Sequence, residues 1–229
     1  MTLQHKDTAA SPHFRIALAA HIFGCVSAFL LVGLPARSQA APAAPPAWLA
    51  FEHAWAGVEA YGTTITTFER KGTQVQNCVL AYTFSKAPAN ATVHFIKGAD
   101  AGATIVWSGG STVIAHRGGI IAGIKKKFSV HDPAVETIRG SSVDEMSFGA
   151  MLAHSKSTPG TVSQGPGPTI LGVRTKAVTL VPRSSVADAG LTREVVEISA
   201  STGFPVRALG YAGSTLVRQV DFSGMTLQR

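Results

Sequence analysis

Cysteine is nearly absent from this chain: two residues in 229, one of them inside an apolar N-terminal run. If that run is removed, Cys78 stands alone, so no internal disulfide can form and the fold must rest on its core. The catalytic signatures are missing too. There is no G-x-S-x-G elbow, no H-E-x-x-H helix and no phosphate-binding glycine loop, because the prolines in GPGPTILG spoil a phosphate nest. Charged residues make up only 14% of the chain and aromatics 7%, and the cations are scattered, which excludes a nucleic-acid footprint despite a net charge of +7. There is also no sustained short repeat.

What is present begins with a leader. Lys6 and Arg15 precede IALAAHIFGCVSAFLLVGL, Ile16 to Leu34, and Ser38-Gln39-Ala40 supplies a small-x-small site before Ala41. This pattern predicts an export signal over residues 1–40, cleaved near Ala40 and placing the mature protein in the periplasm. The alternative is a retained anchor, since about 19 apolar residues just span a bilayer. The bulky Phe23 before Cys25 and the apolar residues after it argue against lipidation there. Cleavage removes Lys6, Arg15, Arg37 and Asp7, so the net charge falls from +7 to +5, a balance suited to anionic lipid or an acidic partner. A Pro/Ala-rich spacer follows at 41–47, then a single domain at 48–229.

Along the mature chain the hydrophobic period changes. Trp48, Phe51, Trp55 and Val58 recur at helical spacing, predicting a helix that Gly62 ends. Thr63 to Lys71 reads as a strand with a turn at KGTQ. In VQNCVLAYTFS, Cys78, Leu80, Tyr82 and Phe84 alternate along one strand face. Short strands with glycine turns, in ATVHFIKG and ATIVWSGGSTVIAHRGG, then indicate an antiparallel meander. IIAGIKKKFSVHDP adds another strand. A second helix is expected within SSVDEMSFGAMLAHSK, capped by Ser141 or Ser142 with Asp144 and Glu145 in its first turn. SKSTPGTVSQGPGPT reads as a loop, and TKAVTLVPR, LTREVVEIS, TGFPVRALGYAG and STLVRQVDF as strands. Pro205 is tolerable at the start of its strand, and Gly213-Ser214 makes the tight turn.

The chemistry-bearing residues are sparse. His94, His116 and His131 lie on or beside neighbouring strands, but none forms a close ligand pair, so neither a metal nor a cofactor is expected. Asp144 and Glu145 point in different directions on a helix and already have a dipole role, which argues against a carboxylate-pair enzyme. Lys125, Lys126 and Lys127 either dock the protein on anionic lipid or an acidic partner, or protect an edge strand. Met146, Phe148 and Met151 either form an adaptable lid or belong to the core.

The order of these elements resembles the LolA-like superfamily of exported lipid and lipoprotein carriers, in particular a subgroup of unknown function. The resemblance runs over nearly all of 48 to 229. It is carried by the aromatic helix ending at Tyr61, Phe68-Glu69-Arg70, the Lys86-Ala87-Pro88 turn, the IVWSGGSTVIAH hairpin and the final TGFPVRALGYAG…VDF unit. It implies an α+β fold: a strongly curved antiparallel sheet, an incomplete β-barrel, with helices covering the concave face. It implies a cavity lined by Leu80, Tyr82, Phe84, Phe95, Trp107, Val196 and Ile198 under a lid of Met146, Phe148 and Met151. In the lipoprotein carrier an arginine helps to latch that lid, and the matching position here is Lys86, a poorer planar donor. The functional expectation is a monomeric, non-enzymatic protein binding a lipid or lipoprotein acyl chain. The alternative is an envelope interaction or sensor module on the same fold, with a protein partner.

Overall fold

A computed structural model describes residues 44–117 and 124–229. The leader, its cleavage site, the first part of the spacer and the Gly118-Gly119 turn lie outside the described residues. Helix α1, Pro46–Ala56, opens with proline in its first turn, where the missing N–H costs nothing. It buries Ala47, Trp48 and Phe51. Gly57 caps it, five residues before the expected stop at Gly62. The chain then turns at once into β1, Ala60–Lys71, because Tyr61 and Ile65 bury themselves by strand alternation and not by helical spacing.

Strand β1 continues through Gly72 into β2, Gln74–Lys86, and the meander runs on through β3, Ala89–Lys97, β4, Thr104–Trp107, β5, Thr112–His116, and β6, Lys125–Ser129. Helix α2, Phe148–Ser157, starts later than Ser141 or Ser142 would place it: the Ser147 hydroxyl accepts from the Ala150 N–H. Ser142 instead closes a separate turn, donating its N–H to Glu145 and its hydroxyl to Asp144. The acids expected in the helix's first turn are thereby used up locally.

After α2 come β7, Gly160–Ile170, β8, Val173–Pro182, a 3-10 turn at Ser185–Asp188, β9, Arg193–Ser199, β10, Pro205–Ala212, and β11, Thr215–Gln228. The Gly/Pro/Ser-rich segment expected as a loop is therefore a strand. It is tolerated because β7 lies at the end of the sheet, where only one side needs ladder donors, and its pairing with β8 skips between Pro166 and Thr169. Pro205 opens β10, as the sequence predicts.

The eleven strands form one antiparallel, curved and unclosed sheet in the order β6-β5-β4-β3-β2-β1-β11-β10-β9-β8-β7. The first and last strands meet in the middle, pairing Ile65 with Phe222 and Thr67 with Val220. With two helices on one face among the described residues, this is the α+β, incomplete-barrel class that the resemblance implies. Among the described residues no helix is long and apolar enough to cross a membrane.

The core sits between that face and the helices. Phe148 is fully buried and gathers a ring cluster: it stacks on Tyr61 at 4.7 Å and meets Phe51, Phe204 and Phe222 at 5.8, 5.7 and 5.1 Å. Each such aromatic contributes about 1.5–3 kcal/mol by burial alone, with roughly 0.5–1.5 kcal/mol more from ring geometry. The Tyr61 hydroxyl oxygen accepts the Phe148 N–H at 3.2 Å, satisfying a donor in the first turn of α2. Burial raises the phenol pKa of both Tyr61 and Tyr82, so both stay neutral.

Candidate functional site

Beyond the aromatic cluster the same sheet face is not filled. A hollow of about 400 Å3 lies over β2 to β6, roofed by the connection between β6 and α2. Its floor follows from strand register: Leu80 faces Phe95, Val93 faces Ile105, and Ile105 faces Ala115 across successive ladders. All five of these residues line the hollow, with Cys78 and Phe128. Val135, Val143 and Met146 close it from above. Burial, with smaller effects from Asp100 and Glu69, raises the Cys78 thiol pKa, so this cysteine presents a neutral thiol to the space and not a nucleophile.

Polar groups also reach the hollow. Arg117 and Asp100 pair at 3.5 Å, and both are exposed. His131 contacts Glu136 at 3.4 Å. The His116 Nδ1 is buried with no hydrogen-bond partner among the described residues.

The roof is fastened by side chains that satisfy its backbone. The Ile138 and Arg139 N–H groups donate to Gln76 and Glu69 at 3.3 and 3.2 Å. The Arg139 guanidinium donates to the carbonyls of Arg70, 3.0 Å, and Ala189, 2.8 Å. One arginine thus ties the roof to the end of β1 and to the turn before β9. No motif marked it in the sequence, since both acceptors are backbone atoms 50 or more residues away.

The residues anticipated from the sequence divide between the hollow and the core. Leu80, Phe95 and Met146 line the hollow. Tyr82, at 0% exposure, and Ile198, at 1%, lie in the packed core, and Phe84, Trp107, Val196 and Met151 pack against it. Phe148 is the centre of that core. The alternating face of β2 therefore serves two purposes: Cys78 and Leu80 meet open space, while Tyr82 and Phe84 meet aromatic rings.

Lys86 reaches α1 and not the roof. Its ammonium donates to the Trp55 carbonyl at 2.6 Å and lies 4.0 Å from the centre of that indole ring. The three lysines occupy β6, the other end of the sheet, and are exposed. Alternation splits them. Lys126 lines the hollow beside Phe128, while Lys125 and Lys127 fall on the opposite face.

Of the three histidines weighed in the sequence, His94 lies 3.0 Å from the Thr104 hydroxyl, and no metal-competent group joins them among the described residues. A different cluster does assemble. His154, in the last turn of α2, places Nε2 at 2.8 Å from Glu194 Oε1 and 3.2 Å from Asp188 Oδ1. The other Glu194 oxygen accepts from Arg218. Hydrogen bonds to Asp188 and Glu194 raise the His154 pKa to about 10. Burial pushes the Glu194 carboxyl up, but His154 and Arg218 hold it below the usual range. This explains why arginine can share a strand face with Val220 and Phe222. The four residues, scattered from α2 to β11, carried no local signature.

No protein-family model matches the chain, and no curated protein matches it. Solved structures resemble its fold. An uncharacterized conserved protein from Thermus thermophilus superposes with a TM-score of 0.50 at 8% identity, covering 80% of this chain and 86% of that one. The lipoprotein LppX from Mycobacterium tuberculosis gives 0.45 at 15% identity, covering 80% and 96%. A LolA superfamily protein from Nitrosomonas europaea gives 0.39 at 12%, covering 81% and 95%.

Proposed function

We propose that this protein is exported to the cell envelope and there holds an acyl chain of a lipid or lipoprotein in the hollow over β2 to β6, without catalysing a reaction. The hollow itself carries the reading. At about 400 Å3 it falls within the range of roughly 300–1,000 Å3 typical of small-ligand sites, and five strands contribute apolar side chains to its floor. An acyl chain needs no directed polar groups. Each buried methylene contributes about 0.8 kcal/mol, so a chain of ten gains on the order of 8 kcal/mol before ordering costs. Leu80 and Phe95 are the floor contacts and Met146 the adaptable roof contact. Tyr82, Phe84, Phe148 and Ile198 support the wall from the packed side. Lys126 and Arg117, which line the hollow, are the cations available to a carboxylate or phosphate head group.

The test is displacement of a fluorescent fatty acid from the mature protein, with native mass spectrometry of protein purified from its own envelope. Binding that falls at least tenfold on filling the hollow, by Leu80→Trp or Ala115→Phe with the fold intact by circular dichroism, supports the reading. A ligand-free species that binds no fatty acid refutes it. In that case a dominant protein cross-link in cells would favour the interaction-module alternative.

A further inference from the structure

We propose that His154, Asp188 and Glu194 form a binding site for one divalent transition-metal ion, with zinc the best chemical match. The three residues come from separate elements, the last turn of α2, the 3-10 turn and β9, and each offers one ligand atom, all within 4.8 Å of one another. Two of the separations are 2.8 and 3.2 Å, and a spread of a few tenths of an ångström brings them to the roughly 3.4 Å that zinc bonds of about 2.0–2.2 Å set between tetrahedral donors. One imidazole nitrogen and two carboxylate oxygens form a donor set that zinc accepts.

An independent observation points to a cation ligand. Asp188 is only 5% exposed, yet its Oδ2 has no hydrogen-bond partner among the described residues. A buried carboxylate oxygen left without a donor is costly, and bidentate or bridging contact with an ion removes the deficit. The surroundings supply the outer support that metal ligands need. Arg218 grips the Glu194 oxygen that faces away from His154, fixing the carboxylate's orientation, and the Thr158 hydroxyl lies 3.4 Å from either ring nitrogen of His154. The His154 side chain is 42% exposed, so ions can enter and a water can fill a fourth position. With the imidazole neutral, two carboxylates against one guanidinium leave a net negative charge to attract the ion.

The ion takes the place of the proton on His154, so affinity rises with pH. It would staple the far end of α2 to β9, in the half of the sheet that does not line the hollow, so the site does not depend on what the hollow binds.

Titrating the metal-free mature protein with Zn2+ by calorimetry, and with Co2+ followed by visible absorption, tests the site. One equivalent is expected at mildly alkaline pH, and paramagnetic broadening by Co2+ should centre on the His154 ring resonances. Asp188→Asn and His154→Gln should each weaken binding by more than the roughly 10- to 100-fold typical of losing an outer-shell partner. Failure of the wild type to take up a stoichiometric ion, or broadening spread over His94, His116 and His131, overturns the proposal. Because the wild-type measurements stand alone, a variant that fails to fold does not leave the question open.

Discussion

The Lys86 ammonium bonds the carbonyl oxygen of Trp55 at 2.6 Å and stands over the same residue's indole ring at 4.0 Å. One side chain thus adds a charged donor to a carbonyl that already accepts the Val58 N–H at 3.1 Å, complements the negative end of the helix dipole and makes a cation–π contact. Burial against this helix end lowers the lysine pKa. Lys86→Met keeps the apolar stem and removes the charge. It should cost about 1–2 kcal/mol in urea unfolding and speed amide exchange in the last turn of α1. Lys86→Arg should recover part of this through the ring, and an unaltered midpoint in both variants would show that the contact contributes nothing.

Arg139 governs the roof of the hollow in a comparable way, since its two backbone contacts join the connection to β1 and to the turn before β9. Arg139→Ala should leave the floor intact and loosen the cover. If the hollow binds an acyl probe, the expected result is a dissociation rate raised several-fold with the association rate little changed. Stopped-flow release of a fluorescent fatty acid measures it, and equal release rates would exclude the roof as a retaining element.

How far the sequence revealed this arrangement depended on whether a residue's partners were local. Alternation along Cys78 to Phe84 and the glycine turns after Lys97 located strands because both signals act within a few residues. The same alternation could not say where the wall stops being core and starts being hollow. That boundary depends on the ring cluster, in which Phe148 stacks on Tyr61 and Tyr61 meets Tyr82, whereas Leu80 borders the hollow. Helix ends were misjudged where a second signal competed: Gly57 acts before Gly62, and Ser147 caps where Ser142 closes its own turn. The His154 cluster and Arg139 were invisible because their partners come together only through the eleven-stranded topology.

The GPGP segment read as a loop makes a sharp test of its role as an end strand. A Cβ on Gly167 would lie 2.2 Å from the Thr175 hydroxyl oxygen and 3.0 Å from backbone of β8, whereas a Cβ on Gly165 meets nothing within 4 Å. Gly167→Ala should therefore destabilise by about 1–3 kcal/mol and expose the Thr175 to Ala177 amides to exchange. Gly165→Ala should stay within roughly 0.5 kcal/mol of the wild type, or gain slightly by restricting the unfolded chain. Equal effects of the two changes would mean that β7 does not pack as described.

In the presence of chelator, the His154 network makes stability depend on pH in a defined direction. The groups that face the imidazole are Asp188 from the 3-10 turn, Glu194 from β9, Arg218 behind it on β11, and the Thr158 hydroxyl. Folding raises the His154 pKa from 6.5 to about 10, so the folded state holds its proton more tightly than the unfolded one. The resulting stabilisation is fully present below about pH 6.5 and is lost as pH rises toward 10. Glu194 works oppositely: its lowered pKa stabilises the fold above about pH 4.5 and is lost as acid protonates it. Urea midpoints should accordingly fall steadily on the alkaline limb. His154→Gln, which keeps a hydrogen-bonding side chain but cannot titrate, should flatten that limb and also reduce the acid limb, leaving there the part that Arg218 supplies to Glu194. Parallel curves for wild type and variant would mean that His154 is not held by the two carboxylates in solution.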